Sequence, residues 1–235
     1  MDNSVGRLRL LFPAHQFDVL IGSLLGDARL ECRSLGIRDA KTARFRVHHG
    51  EKQAEYVQWK YDMLKNFVSA PPRAITRLDR KRNIFETSWY FHTKSTKKLG
   101  MLHDWFYTNN GVKQLPQQLE EVLSPRMLAV WYMDDGSYTG ASCTLNTHAL
   151  RNDEQHRVME MFMDSFGIMC TLVKDRRQHK IRIGARGIQR FLDIVAPHVI
   201  PSMTYKIAYP RNDSSRMRDG VVAREASLPQ LTRQL

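Results

Sequence analysis

A mixed α/β fold (α+β) built from two pseudosymmetric halves is the class this sequence predicts, and three observations carry that expectation. Two apolar, helix-length segments, residues 20–28 (LIGSLLGDA) and 128–136 (LAVWYMDDG), each end abruptly in an aspartate, and Asp27 and Asp135 stand 108 positions apart. Behind each segment the hydrophobic periodicity runs in the same order: helix, two strands, helix, two strands, helix, an αββαββα unit. The length of 235 residues accommodates one large domain or two fused halves of about 110 residues, enough to bury a real core.

Residues 1–12 form a short, basic, mostly unstructured lead. Pro13 opens the first apolar helix, which runs to about Gly26. Ala43, Phe45 and Val47 alternate with Arg44, Arg46 and His48, the pattern of a half-buried strand with a basic outer face. An amphipathic helix over about 52–68 follows, with Val57, Tyr61, Leu64 and Val68 at helical spacing. After Pro71-Pro72 the strongly basic stretch 73–82, which includes Arg80, Lys81 and Arg82, leads into an alternating strand over 85–91. Leu99, Leu102 and Phe106 mark a second helix, ended by Asn109-Asn110-Gly111, so the first half covers 13–107.

A polar connector over 108–123 holds Lys113 and Pro116. Ser124-Pro125 then supplies an N-cap and a proline at the first helical position, which opens the second half, 124–211. There Ser142, Thr144 and Asn146 alternate with Cys143 and Leu145, and a helix carries Val158, Phe162 and Phe166. Lys180 and Arg182 alternate with Ile181 and Ile183, and a last helix carries Ile188, Phe191 and Val195. In both halves the final helix is followed by a lysine near a proline, Lys113 before Pro116 and Lys206 before Pro210. Residues 212–235 are polar, with little periodicity, and read as a flexible tail.

Composition narrows the partner. The 36 Lys and Arg against 24 Asp and Glu give a formal charge of +12, which favours a polyanion, most simply nucleic acid. Arginine outnumbers lysine 24 to 12, which suits bidentate contacts to phosphate and guanine edges. Cys32, Cys143 and Cys170 are too few and too scattered for a disulfide framework or a zinc cluster, so they read as reduced core thiols. No apolar run is long enough to span a membrane and no secretion signal opens the chain, so an intracellular protein without a membrane partner is expected.

The placement of the two acids is the chemical signal. A helix C-terminus carries unpaired carbonyls and partial negative charge, so a carboxylate there is disfavoured by a few tenths to about 1 kcal/mol. Two such ends converging call for a cation, and a hard divalent ion bound by carboxylate and backbone oxygens answers that need. The alternative is that Asp27 and Asp135 are ordinary polar residues just beyond buried helices; their duplication argues against it. Gly22 and Gly26, four apart on one helix face, permit close approach of a partner helix, and Ala129 offers a similar small residue on the other. Paired acids with shared cations suit phosphodiester hydrolysis. The outward positions Arg44, Arg46, His48, Ser142, Thr144, Asn146, Lys180 and Arg182, with the basic run Arg80 to Arg82, supply a surface for DNA; individually each is either a base contact, a phosphate contact or a solvated charge.

Both nine-residue segments resemble the LAGLIDADG motif, whose eighth position is the metal-binding acid: Asp27 in the first copy, Asp135 in the second. The likeness extends through Ser124-Pro125, Leu145-Asn146-Thr147 and Tyr205-Lys206 to about residue 210, which identifies the chain as a two-motif, monomeric member of the LAGLIDADG homing endonuclease family. The resemblance implies two antiparallel sheets forming a saddle on the DNA major groove, with the motif helices packed at the centre. It further implies metal ligation by Asp27, Asp135 and the carbonyls of Gly26 and Asp134, with Lys113 and Lys206 as basic residues of the active centre. Mg2+ is the implied cofactor, Mn2+ a substitute. The implied reaction cuts both strands of a long asymmetric duplex, leaves short 3′ overhangs and promotes intron mobility. Such proteins occur in bacterial or archaeal cytoplasm or in organelles. Ala28 departs from the motif's final glycine, and Val130 and Tyr132 are larger than its usual residues, which bears on packing more than on chemistry. An intron RNA maturase and a non-catalytic DNA-binding regulator are the alternatives; intact acids favour the nuclease.

Overall fold

The computed structural model describes residues 4–32 and 41–208. Pro210 and the expected tail lie outside them.

The first correction comes at the start of the chain. Residues expected to be unstructured include helix α1 (Ser4–Leu10). Val5 and Leu8, one turn apart, are buried, and Phe12 packs its ring 6.4 Å from that of Phe17 and 5.7 Å from that of Phe67. Three apolar side chains among basic neighbours are enough to dock one turn of helix on an existing core.

The first half then runs α2 (Ala14–Leu25), β1 (Arg29–Cys32), β2 (Ala43–Gly50), α3 (Ala54–Leu64), β3 (Arg73–Asp79), β4 (Ile84–His92) and α4 (Lys97–Phe106). The second half runs α5 (Pro125–Asp135), β5 (Gly136–Tyr138), β6 (Cys143–Leu145), α6 (Asn152–Phe166), β7 (Thr171–Asp175), β8 (Gln178–Ile183) and α7 (Ile188–Val195). All strand pairs are antiparallel, and the two sheets share one order, β1-β2-β4-β3 and β5-β6-β8-β7. The expected helix over 52–68 is shorter, with 3-10 turns at Glu51–Gln53 and Lys65–Phe67 on either side of α3. Ser124 caps α5 as expected, its side chain accepting from the Met127 N–H at 3.1 Å.

Each sheet buries one face. Ala43, Phe45 and Val47 of β2 are fully buried with Val57 and Leu64 of α3, and Cys143, Leu145, Ile181 and Ile183 do the same against Val158 and Phe162 of α6. Helices α2 and α5 run against each other at the centre, buried on nearly all sides, as befits helices apolar around their whole circumference. Gly22 and Gly26 make that contact possible. A Cβ on Gly22 would lie 2.6 Å from the Met127 carbonyl oxygen and 2.7 Å from the Val130 Cβ, and one on Gly26 would lie 2.5 Å from the Asp134 Cβ. Val130, not Ala129, therefore stands opposite Gly22.

The connector is less polar than its composition suggests. Leu115, Leu119 and Val122 are buried, and the Leu115 N–H donates to Glu154 Oε1 of α6 at 2.9 Å. This tie fixes the strap that delivers Lys113.

Candidate functional site

The C-terminal ends of α2 and α5 meet. The Asp27 N–H donates to Asp134 Oδ2 at 3.3 Å, and Asp27 and Asp135 line one cavity of about 260 Å³ together with Gly26, Lys113 and Asn146. A second depression of about 360 Å³, between the helix ends and the second sheet, is bordered by Asp27, Asp135, Thr144, Asn146, Lys180 and Lys206. The two expected acids thus share a cleft. Burial first, then the charges of Asp27 and Asp134, push the Asp135 carboxyl up to about 7.

The two lysines occupy equivalent positions. Lys113 Nζ donates to the carbonyls of Gly26 (2.9 Å) and Ala28 (3.1 Å), and Lys206 Nζ donates to those of Asp134 (3.2 Å) and Gly136 (2.7 Å). Each ammonium therefore spans the residues on either side of one acid and sits on the negative end of a helix, where a cation is favoured. Lys113 is held by a bridge to Tyr107, and Lys206 by the Tyr132 hydroxyl, which donates to its carbonyl at 2.8 Å. Burial draws Lys113 down to about 8 against the pull of Asp135, Asp134 and Asp27, and it lowers Lys206 as well. Neither is a solvated surface charge.

A buried polar cluster behind Asp27 escaped the sequence reading. Lys60 Nζ of α3 lies 2.7 and 3.0 Å from the two Asp134 carboxylate oxygens, and both side chains are fully buried. His49 Nε2 is 3.4 Å from Lys60 Nζ, His49 Nδ1 is 3.6 Å from Asp27 Oδ2, and the Lys60 ammonium stands 4.3 Å above the Tyr56 ring. Burial, then the Lys60 charge, pushes the His49 imidazole well below its ordinary range, which favours its neutral form. A signal was present: Lys60 falls three after Val57 and four before Leu64, inside the apolar stripe of its helix.

The donor set fits a hard divalent cation. Asp27 and Asp135 would contribute carboxylates, the Gly26 and Asp134 carbonyls each retain a second lone pair beside the lysine contact, and an acid raised by burial and by neighbouring carboxylates would be relieved by a cation. Asp27, His49 and Asp134 also place one donor atom each within 4.8 Å of one another, but the Asp134 carboxylate is committed to Lys60.

On the outer face of the first sheet, Arg44 and Arg46 lie beside Arg29, all three tied to Glu31. His48 Nε2 is 2.7 Å from Ser88 Oγ on the neighbouring strand. Arg80 and Lys81 are exposed at the β3–β4 turn, whereas Arg82 pairs with Asp79 and Glu86. On the second sheet Thr144 pairs in register with Arg182, Asn146 is exposed, and Lys180 pairs with Asp175 at 3.0 Å. Ser142 is a correction: it is buried, its hydroxyl 3.1 Å from Thr139 Oγ1 in the β5–β6 turn, because the strand begins one residue later and the turn takes up its polar groups.

Two αββαββα halves joined through paired helices that end in acids define one class of protein. The sequence profile of the LAGLIDADG DNA endonuclease family matches residues 17–191, and the chain belongs to that family. It is 30% identical to Protein RecA of Mycolicibacterium flavescens over 207 residues, 82% of this chain and 46% of that protein. It is 27% identical to DNA endonuclease I-ChuI of Chlamydomonas applanata over 210 residues, 82% of this chain and 94% of that one. Cytochrome b mRNA maturase bI2 of Saccharomyces cerevisiae is 25% identical over 218 residues, 88% of this chain and 49% of that protein. The chain spans about half the length of the RecA relatives it matches. Its fold matches that of the homing endonuclease I-WcaI, solved bound to its DNA recognition sequence, with a TM-score of 0.75 at 22% identity over 87% of this chain and 92% of that one.

Proposed function

We propose that this chain is a site-specific homing endonuclease that hydrolyses both strands of a long, asymmetric DNA duplex, acting as a monomer. The observation that carries the proposal is the pairing of Asp27 and Asp135, one from each half, in a single cleft flanked by two sheets with polar and basic outer faces. One chain supplies both acids, so one chain serves both strands.

Asp27 and Asp135, with the carbonyls of Gly26 and Asp134, are the residues that would hold Mg2+, or Mn2+ in its place. When bound, the cation supplies activation of the attacking water and stabilisation of the leaving 3′ oxygen. Lys113 and Lys206 fix the helix-end carbonyls and bring positive charge to where phosphate charge grows during the reaction. The outer faces carrying Arg44, Arg46, Thr144 and Arg182 follow the major groove, and short 3′ overhangs are the expected product.

The test is cleavage of a randomised-insert plasmid library with Mg2+ and with a chelator. Linear product bearing one recurrent site, formed only with the metal, is expected; cleavage that is indifferent to chelation, or none at all, contradicts the proposal. Likeness to the maturase over 88% of this chain favours intron RNA as a second partner. Faster splicing of a candidate intron with the protein added supports that second activity, and an unchanged rate removes it.

A further inference from the structure

Strands β1 and β2 pair in a register that sets Glu31 opposite Arg44 and Arg29 opposite Arg46. Leu30, Ala43, Phe45 and Val47 are buried, so alternation sends Arg29, Glu31, Arg44 and Arg46 together to the outer face. One carboxylate there serves three guanidinium groups. Glu31 Oε1 accepts from Arg29 Nε (3.1 Å) and Nη2 (2.8 Å) and from Arg46 Nη1 (3.2 Å); Oε2 accepts from Arg44 Nε at 2.7 Å, with Arg44 Nη2 2.6 Å away. An acid on a surface that meets phosphates weakens general attraction, so its presence among arginines needs another reason.

The edge each arginine uses supplies it. A guanidinium carries five N–H donors in a planar fork. Arg29 and Arg44 grip Glu31 side-on, through Nε and Nη2, which leaves the end edge formed by Nη1 and the outer N–H of Nη2 directed away from the carboxylate. Guanine shows O6 and N7 as two adjacent acceptors in the major groove, and a guanidinium end edge matches them bidentately. A side chain already fixed by a carboxylate loses less freedom on docking and tolerates less displacement toward a neighbouring base or phosphate.

Among the described residues, the equivalent strand positions of the second half carry no such cluster. Arg29 stands two residues after Asp27 and pairs with Arg46; Ser137 stands two after Asp135 and pairs with Thr144. Continued along the strands, Glu31 and Arg44 correspond to Thr139 and Ser142, a neutral pair whose hydroxyls lie 3.1 Å apart.

We propose that Glu31 is a specificity-determining residue: it buttresses Arg29 and Arg44 so that their end edges read guanines in the half-site nearest Asp27, a preference without counterpart in the other half-site. The proposal rests on the DNA-cutting reading above. Its test is a binding selection from a randomised duplex library by the full chain and by Glu31→Gln and Arg44→Lys. The parent chain is expected to enrich an asymmetric site with two guanine positions in one half. Glu31→Gln should lose at least about tenfold of the enrichment at both positions, keep the rest of the site, and bind unrelated duplexes more tightly as one anion is removed. Arg44→Lys, which keeps the charge but not the fork, should lose one guanine position alone. Undiminished guanine enrichment in Glu31→Gln overturns the proposal, as does an equal loss at every position accompanied by a lower melting temperature, the signature of a merely structural ion pair. If the parent chain enriches no sequence, the endonuclease reading itself falls, and that outcome is distinct from either of the others.

Discussion

Adjacent residues on α5 meet opposite fates. Successive side chains on a helix diverge by about 100°, so Asp134 turns inward to Lys60 while Asp135 enters the cleft. A buried pair broken on one side leaves an uncompensated charge, so Lys60→Met should cost about 3–5 kcal/mol in urea denaturation, whereas Lys60→Met with Asp134→Leu should recover most of it. The Asp135 carboxyl, at about 7 in the fold against its usual 3.8, holds a proton that the unfolded chain has already released at intermediate pH. Stability of the metal-free protein should therefore fall as pH rises from about 4 to about 7, the window between the two values. Asp135→Asn should flatten that slope in melting curves; an unchanged slope places its origin elsewhere. At this scale the sequence disclosed Asp27, Asp135 and both lysines, because repetition marks them. It did not disclose Glu31, whose arginine partners include two on the neighbouring strand, or His49, whose partners come from a helix and a helix end distant in sequence, contacts that no local pattern reveals.

Elements were more legible than their ends. Strict alternation located β2 and β8, and helical spacing located α4, α6 and α7, because a core on one face imposes those periods. Helix α1 was missed because seven residues carry too little periodicity, and what docks it is the burial of Val5 and Leu8 together with Phe12, which packs on Phe17 and Phe67. Ser142 was misjudged because alternation does not show where a strand yields to its turn. The contact of α2 with α5 is the element-level foundation of the site. Gly22→Ala places a methyl against the Met127 backbone and should cost about 1–3 kcal/mol, a fall in melting temperature of roughly 2–12 °C. The lysines act at the same level, each tying a strap or a closing turn to a helix end. Lys113→Ala and Lys206→Ala should slow cleavage more than they weaken DNA binding; equal losses would mark them as simple phosphate contacts.

For the whole molecule, the duplication explains both the symmetry and its breakage. Two sheets of one strand order and two lysine-capped helix ends repeat each other, while Asp134 stands where the first half has Gly26, Glu31 stands where the second has Thr139, and the Lys60–Asp134 pair crosses from one half to the other. The acids are equivalent by position and unequal by surroundings. Each would then govern one strand of the duplex, and the central claim rests on that division. Strand-resolved cleavage of the selected duplex by Asp27→Asn and by Asp135→Asn tests it most directly. Loss of double-strand cutting by at least about a hundredfold, roughly 2.7 kcal/mol of barrier, with DNA binding retained and any residual nick falling on opposite strands in the two variants, is the predicted result. Full double-strand cutting by either variant would contradict it.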